Sequence, residues 1–233
     1  MLNVINLSKT FLMHIRGGKK ITSLYDVSFS VAKGEFLGIT GPSGSGKSSL
    51  LKCIYRSYIP TSGNIFYDSE LKGTVDMAIA DEHTVLALRK SEIGYISQFL
   101  HVIPRVNAID VITDALKSKG FSEDESLPMA GNYLSRVGIP ESLWEMYPST
   151  FSGGEKQRLN IVHAIASKPR LLLLDEPTAS LDSGTKKEVV SLIKELKDEG
   201  TAMVGVFHDY ETLMQLSDRE YAIKSDSLCQ LQV

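Results

Sequence analysis

The stretch from Gly41 to Ser49 has the residue types and spacing that hold a chain of phosphates: a glycine, four residues, then Gly-Lys-Ser. It lies between an apolar run typical of a buried strand and a helical pattern, so that backbone N–H groups and a helix start converge on one anion. We expect Lys47 to reach the β- and γ-phosphates and Ser48 to hold Mg²⁺, although a Gly/Ser-rich turn before a helix is the alternative. The residues assigned to nucleotide binding here are Gly41, Pro42, Ser43, Gly44, Ser45, Gly46, Lys47, Ser48 and Ser49.

Two adjacent carboxylates end a second apolar run. Leu171 to Leu174 is typical of a fully buried strand, and Asp175 and Glu176 follow it directly. Carboxylates at that place are costly unless a cation or a bound water uses them. We expect Asp175 to support Mg²⁺, directly or through water, and Glu176 to polarise the attacking water. The alternative is a solvated turn after a strand, which a phosphate-binding loop in the same sheet argues against.

A third candidate lies at a helix start, where Ser152 and Glu155 have the spacing of a capping box. A cap alone explains those two residues but not the glycine pair between them, Gly153 and Gly154. Glycines leave room for a close approach to the helix N-terminus, and an anion is the natural candidate there.

Three single residues are weaker candidates. His208 follows the strand pattern Ala202 to Phe207 and could donate a hydrogen bond to a terminal phosphate, although a lone histidine is more often a surface or capping residue. Gln98 ends another strand pattern and could supply a neutral ligand to Mg²⁺ or water. Phe11 could stack on a base, with packing in the core as the equal alternative. We treat the other histidines as structural: His14, His83, His101 and His163.

The composition is that of an ordinary globular protein. The chain has 233 residues, a formal net charge of −3 and no cluster of lysine and arginine, which disfavours a nucleic-acid partner. No apolar run approaches the length of about 18 residues that spans a bilayer, and the N-terminus does not resemble a signal peptide. We therefore expect a cytoplasmic protein with no direct membrane insertion. The cysteines, Cys53 and Cys229, are expected to be free thiols.

The order of patterns predicts an insertion. Val4 to Ile15 and Lys20 to Val31 read as two strands joined by a turn at Gly17 and Gly18. From Phe99 to about Ser167 only helical patterns occur, with caps predicted at Asn107 and Ser122. Alternation of strand and helix then resumes.

Together these stretches resemble an ABC-type ATPase, and the match covers nearly the whole chain. The matching motifs are Walker A at Gly41 to Ser48, the Q-loop at Gln98, the signature at Phe151 to Glu155, Walker B at Leu171 to Asp175, the catalytic Glu176, the D-loop at Ser180 to Asp182 and the switch His208. The resemblance implies binding and hydrolysis of ATP with Mg²⁺. The implied metal-binding residues are Ser48, Gln98 and Asp175, and the implied catalytic residues are Glu176, His208, Lys47 and Gln98.

The family fold implies an α/β architecture: a RecA-like P-loop ATPase core with an antiparallel β lobe and an inserted helical lobe. We assign residues 1–98 to the β lobe and the first part of the core, 99–167 to the helical lobe, and 168–233 to the second part of the core. The family's active site lies between two protomers, with the signature of one covering the γ-phosphate held by the other. This implies an ATP-dependent homodimer or pairing with another ABC ATPase subunit.

The signature departs from the family pattern at both ends. It begins with Phe151, where Leu is usual, and ends with Glu155, where Gln is usual. Glu155 keeps the capping box but adds a negative charge near the expected phosphate, which bears on the rate of hydrolysis more than on binding.

Two stretches, Ser97 to Arg105 and Ser149 to Glu155, are most similar to the PhnL family of ATP-binding subunits of the bacterial carbon–phosphorus lyase system. That resemblance implies phosphonate catabolism, in particular synthesis of ribose 1-methylphosphonate 5-triphosphate. It also implies docking on soluble lyase subunits, and we expect Phe99 to Arg105 to form part of that docking surface.

Two other functions remain open. The chain could be the nucleotide-binding subunit of an ABC transporter of the lipoprotein-release or export type. It could also be a scaffold in which ATP drives dimerisation and turnover is incidental. A DNA-repair ATPase is disfavoured, because the sequence has neither a long coiled-coil insert nor a basic face.

Overall fold

The computed structural model describes residues 1–13, 19–97 and 105–223, and in these ranges the chain forms two sheets flanked by helices. The strands are β1 (Leu2–Met13), β2 (Lys19–Val31), β3 (Phe36–Thr40), β4 (Ser62–Ser69), β5 (Gly73–Asp76), β6 (Ile93–Ile96), β7 (Leu171–Asp175), β8 (Ala202–Val206) and β9 (Arg219–Ala222). The helices are α1 (Lys47–Ile54), α2 (Glu82–Ser91), α3 (Ala108–Lys117), α4 (Glu123–Arg136), α5 (Gly153–Ala166), α6 (Ser183–Asp198) and α7 (Tyr210–Leu216), with short 3₁₀ turns at Glu141–Leu143 and Pro148–Thr150.

The first sheet is antiparallel, with the strand order β2-β1-β4-β5. Strands β1 and β2 pair as far as Met13 opposite Lys19, as a hairpin requires, while the predicted turn at Gly17 and Gly18 lies outside the described residues. The two predicted strands of this sheet correspond to β1 and β2, with His14 and Ile15 of the first outside the described residues.

The second sheet is parallel, with the strand order β6-β7-β8-β3-β9. Its strands β7 and β8 are buried along their whole length, as their continuous apolar runs predict. Because the strands are parallel, their carboxyl ends share one edge, and ligands of such sheets bind outside that edge. Asp175 is the last residue of a strand that ends there, and Gly41, Glu176 and His208 follow such strands.

The parallel sheet separates two hydrophobic cores. Leu171 and Leu173 of β7 face the core shared with the antiparallel sheet, α1 and α2, whereas Leu172 and Leu174 face the core shared with α3 to α6. Alternate side chains of a strand point to opposite faces, so one leucine run serves both cores. The predicted α/β architecture with an antiparallel sheet is confirmed.

Helices alone occupy the described part of the predicted insertion, residues 105–167. The Asn107 side chain accepts a hydrogen bond from the Asp110 N–H, and Ser122 forms a capping box with Glu125, as the sequence predicts. Helix α5 begins at Gly153, because Ser152 caps it. No helix in the described part of the chain is long and apolar enough to cross a membrane.

Candidate nucleotide-binding site

The loop between β3 and α1 is built on glycines that no other residue could replace without strain. Gly46, the residue that precedes α1, has a φ of 95°, and a Cβ there would lie 2.1 Å from the Ser23 carbonyl oxygen. Gly41 has a φ of 142°, and its Cβ would lie 2.9 Å from the Ile223 carbonyl oxygen. Strand β2 and the end of β9 therefore hold the backbone of the loop in its curled form.

Polar groups in this loop suit an anion. The Lys47 ammonium group donates to the carbonyl oxygens of Gly41 and Pro42, at 2.8 and 2.9 Å, so the loop wraps around a positive charge. The Ser45 hydroxyl is buried and has no hydrogen-bond partner among the described residues. Nothing lies within 4 Å of the Cβ position of Gly44, so one side of the loop is open.

Ser43 is exposed, whereas the Ser49 hydroxyl accepts a hydrogen bond of 2.9 Å from Ser23. Ser49 therefore anchors α1 to β2 through its side chain. The predicted loop residues thus lie together, and they differ in what their side chains contact.

The structure brings Ser48 and Asp175 together, although 127 positions separate them in the sequence. The Ser48 Oγ donates to one carboxylate oxygen of Asp175 at 2.8 Å, and the Tyr95 hydroxyl donates to the other at 2.9 Å. Burial and the neighbouring Asp175 carboxylate raise the pKa of Tyr95, so its hydroxyl stays protonated and remains a donor. A hydroxyl and a carboxylate at one place are the hard oxygen ligands that Mg²⁺ prefers.

Glu176 and His208 follow neighbouring strands. Asp175 pairs with Val206, and the Glu176 N–H donates to the Val206 carbonyl at 2.9 Å. Glu176 has a φ of 52°, a left-handed conformation that costs free energy for a residue with a side chain and is concentrated at functional sites. His208 is exposed two residues beyond the end of β8. Strands β7 and β8 are therefore direct neighbours in the sheet.

The residue after His208 is firmly held. The Asp209 carboxylate accepts hydrogen bonds from the Glu211 N–H and the Thr212 hydroxyl, and it forms an ion pair with Lys186 of α6. The hydrogen bond from Lys186 contributes most to lowering the pKa of Asp209 to about 2. The sequence carries no signal for this pair, because its members are 23 positions apart and no regular spacing of one element links them.

The start of α5 is capped and open. Ser152 and Glu155 form the predicted capping box, and the Glu155 carboxylate accepts the Ser152 N–H at 2.7 Å. These Ser152 hydrogen bonds lower the pKa of Glu155, which is therefore ionised at neutral pH. A Cβ at Gly153 or Gly154 would meet nothing within 4 Å. Within the described chain, no neighbouring group requires glycine at these two positions, and the space in front of the helix N-terminus is open.

Further along α5, two amides reach the ends of neighbouring strands. The Gln157 side chain donates to the Pro177 carbonyl at 3.4 Å, and the Asn160 side chain donates to the Ser97 carbonyl at 3.1 Å. Gln98 itself lies outside the described residues, as do Phe99 to Pro104 of the predicted docking surface.

Phe11 lies in β1 opposite Ile21, two residues from the Ser23 that contacts the loop. Its half-buried ring packs edge-on against Tyr58, with centroids 5.2 Å apart, and the Lys9 ammonium group lies 4.8 Å from its centroid. Stacking on a base stays a prediction.

Two of the four histidines treated as structural, His83 and His163, lie in the described part of the chain. His83 is exposed near the start of α2, whereas burial lowers the pKa of His163 inside α5. Burial also raises the pKa of the free thiol Cys53 to about 11. His14, His101 and Cys229 lie outside the described residues.

Comparisons with known proteins agree with this geometry. The sequence profile of the ABC transporter family matches residues 24–179. The chain is 36% identical to the lipoprotein-releasing system ATP-binding protein LolD of Shewanella frigidimarina, over 98% of this chain and 92% of that protein. It is 34% identical to the glutamine transport ATP-binding protein GlnQ of Escherichia coli, over 90% of this chain and 81% of that protein.

Solved structures give the same result. The fold resembles a dimeric post-hydrolysis state of the ATP-binding cassette MJ0796 bound to ADP and Pi, with a TM-score of 0.82, 31% identity and coverage of 96% of this chain and 94% of that one. The geometry of the glycine loop and the contact between Ser48 and Asp175 agree with these similarities. We conclude that the chain belongs to the ABC transporter ATPase family.

Proposed function

We propose that this protein binds ATP with Mg²⁺ and hydrolyses it, and that the cycle closes and opens a dimer. The observation that carries the proposal is the contact between Ser48 and Asp175 at the base of the glycine loop. Loop N–H groups and Lys47 hold the β- and γ-phosphates, Glu176 polarises the attacking water, and His208 donates a hydrogen bond to the terminal phosphate.

Ser48 and Asp175 are the described residues that would hold Mg²⁺, together with Gln98 outside the described ranges. No group of three or more histidine, cysteine or acidic residues that could hold a metal occurs in the described part of the chain. This fits Mg²⁺, which proteins bind through one or two carboxylates plus the phosphates of the substrate. When bound, Mg²⁺ neutralises charge on the β- and γ-phosphates.

The start of α5 supports the dimer. Its capped N-terminus carries free N–H groups, and the open space over Gly153 and Gly154 lets a second protomer bring a γ-phosphate close. The similar MJ0796 cassette is a dimer. We propose a homodimer or a pair with another ABC ATPase subunit, with residues 1–98 and 168–233 forming the core and β lobe and 99–167 the helical lobe.

For the wider role we propose a subunit of the carbon–phosphorus lyase system that supports synthesis of ribose 1-methylphosphonate 5-triphosphate. The support is the resemblance of Ser97 to Arg105 and Ser149 to Glu155 to PhnL-type subunits. The partners are then soluble lyase subunits, with Phe99 to Arg105 as part of the docking surface.

A second candidate is the nucleotide-binding subunit of a transporter, which the 36% identity to LolD over 98% of the chain favours. Copurification from the native host separates the two. Soluble lyase subunits in the purified complex support the first candidate, whereas a membrane permease supports the second.

Steady-state ATPase assays with and without those partners complete the test. Turnover that partners stimulate supports a coupled ATPase. Turnover that is negligible and indifferent to partners, combined with ATP-dependent dimerisation, supports a scaffold instead.

A further inference from the structure

Both oxygens of the Asp175 carboxylate are occupied, and by hydroxyls from different elements. Ser48 of α1 donates to Oδ1 at 2.8 Å, and Tyr95 of β6 donates to Oδ2 at 2.9 Å. Asp175 is only 9% exposed, so little solvent is available to replace either donor. A carboxylate bound at one oxygen by a fixed donor loses its freedom to rotate and presents the other oxygen in one direction.

Groups that do not involve Asp175 hold the Tyr95 ring in place. It stacks on Tyr55, with centroids 5.0 Å apart and an angle of 21° between the planes. The Arg89 guanidinium group lies 4.3 Å from the Tyr55 centroid, and its Nε donates to the Tyr55 carbonyl at 2.8 Å. The position of the phenol hydroxyl is therefore fixed by α2, the end of α1 and β6, independently of its hydrogen bond to the carboxylate.

A second tyrosine, Tyr67, forms a tyrosine–carboxylate hydrogen bond away from the candidate site and serves for comparison. The Tyr67 hydroxyl donates to the buried Glu92 at 2.9 Å, with Ser69 and Arg170 on the same carboxylate. None of the described partners of Glu92 belongs to the glycine loop. The Tyr95 bond differs because the opposite oxygen of its carboxylate faces Ser48, the first serine after the loop lysine.

We propose that Tyr95 is a positioning residue for Mg²⁺, which fixes the Asp175 carboxylate so that its other oxygen stays directed at Ser48. This inference rests on the proposed role of Ser48 and Asp175 in holding the cation. The hydrogen bond of the Tyr95 hydroxyl goes to Asp175 and not to a residue of the loop. Its loss therefore raises the Mg²⁺ requirement of nucleotide binding and leaves binding without Mg²⁺ unchanged.

The test is a titration of Mg²⁺ into protein and a fluorescent ATP analogue, read as binding without turnover. Tyr95→Phe keeps the ring and its stacking and removes only the hydroxyl. We expect the Mg²⁺ concentration at half-maximal effect to rise about threefold to tenfold, in line with the net contribution of one ordinary hydrogen bond, because the carboxylate itself is retained and only its orientation is lost. Affinity for the analogue in excess chelator stays at the wild-type value.

Tyr67→Phe is the matched control, because it removes a tyrosine–carboxylate hydrogen bond of the same length elsewhere in the chain. It is expected to lower thermal stability with no change in Mg²⁺ requirement. A double-mutant cycle then asks whether Tyr95 acts through Asp175: in an Asp175→Asn background, Tyr95→Phe should have no further effect on the Mg²⁺ titration.

The inference is overturned by an unchanged Mg²⁺ requirement in Tyr95→Phe, by the same shift in Tyr67→Phe, or by weaker binding in chelator. It is also overturned if Tyr95→Phe raises the Mg²⁺ requirement as much in the Asp175→Asn background as it does in the wild type. Failure of the proposed function looks different, because wild-type protein would then bind the analogue equally with and without Mg²⁺.

Discussion

At the scale of single residues, Lys47 is the most direct test of nucleotide binding. Its ammonium group lies inside the loop on the carbonyls of Gly41 and Pro42 and is the only loop side chain with a positive charge. Lys47→Ala should weaken ATP binding by about 1.5–3 kcal/mol, the range for a charge-assisted contact. Isothermal titration calorimetry measures this, and an unchanged affinity would contradict the assignment of the loop.

Gly46 offers a sharper geometric prediction with a built-in control. An alanine Cβ there would lie 2.1 Å from the Ser23 carbonyl, whereas a Cβ at Gly44, which also has a positive φ, would meet nothing within 4 Å. Gly46→Ala should therefore lower the melting temperature and abolish ATP binding, because backbone must move. Gly44→Ala should show only the backbone strain, about 1 kcal/mol. Equal effects of the two substitutions would show that the Ser23 contact does not shape the loop.

At the scale of secondary-structure elements, the Lys186–Asp209 pair ties α6 to the start of α7, next to His208. The pKa of Asp209 is lowered from 3.8 to about 2, so the folded state binds this proton less readily than the unfolded chain. The stabilisation is thus fully present above pH 3.8 and is lost as the pH falls through about 2. In urea unfolding, the difference in the free energy of unfolding between wild type and Asp209→Asn should shrink as the pH falls from 3.8 towards about 2.

Lys186→Met supplies the control for that pH dependence. Without the ammonium group, the Asp209 pKa returns towards its ordinary value. The effect of Asp209→Asn on the free energy of unfolding, measured in the Lys186→Met background, should therefore lose most of its dependence on pH. A dependence that persists in this background would assign the effect to the capping bonds from Glu211 and Thr212.

The first turn of α5 carries a prediction about rate. Gln retains the acceptor that a capping box needs, so Glu155→Gln should keep the helix start and the melting temperature. It removes a negative charge from beside the expected γ-phosphate, and we expect faster steady-state hydrolysis. A fall in turnover at unchanged stability would mean that this carboxylate is needed, and would reverse our interpretation of the departure from the family pattern.

The elements that the sequence predicts are those with local signals. Asn107, Ser122 and the Leu171–Leu174 run each specify a cap or a buried strand within a few residues. Strand β5 has four residues and the edge strand β9 is largely exposed, so neither has an apolar pattern. Both form because they hydrogen-bond to the edge of a neighbouring strand, which a local sequence pattern does not reveal. Tyr95 was missed for the same reason, since its role depends on a residue 80 positions away.

At the scale of the whole molecule, Glu176 tests the dimer. Glu176→Gln is nearly isosteric, keeps an acceptor oxygen and removes the charge that polarises water. ATP binding should stay near normal, turnover should fall severely, and a dimer should accumulate with ATP but not with ADP. The ATP-specific dimer follows because the contact from α5 of the second protomer to the γ-phosphate exists only before hydrolysis.

Size-exclusion chromatography with light scattering on Glu176→Gln, in each nucleotide, measures that prediction. A monomer in both nucleotides would point to pairing with a different ATPase subunit. Normal turnover would remove Glu176 from the catalytic role.

The leucine run of β7 has one more consequence. Four identical side chains supply both cores alternately, so sliding the strand by one position would still place a leucine at three of the four buried positions. The middle of the run therefore does not distinguish the correct alignment from the shifted one. The polar residues at the two ends do: Arg170 bonds to Glu92 at one end, and Asp175 bonds to Ser48 and Tyr95 at the other. The alignment of the strand is thus fixed from its ends, and the carboxylate needed for chemistry also keeps the middle of the sheet in register.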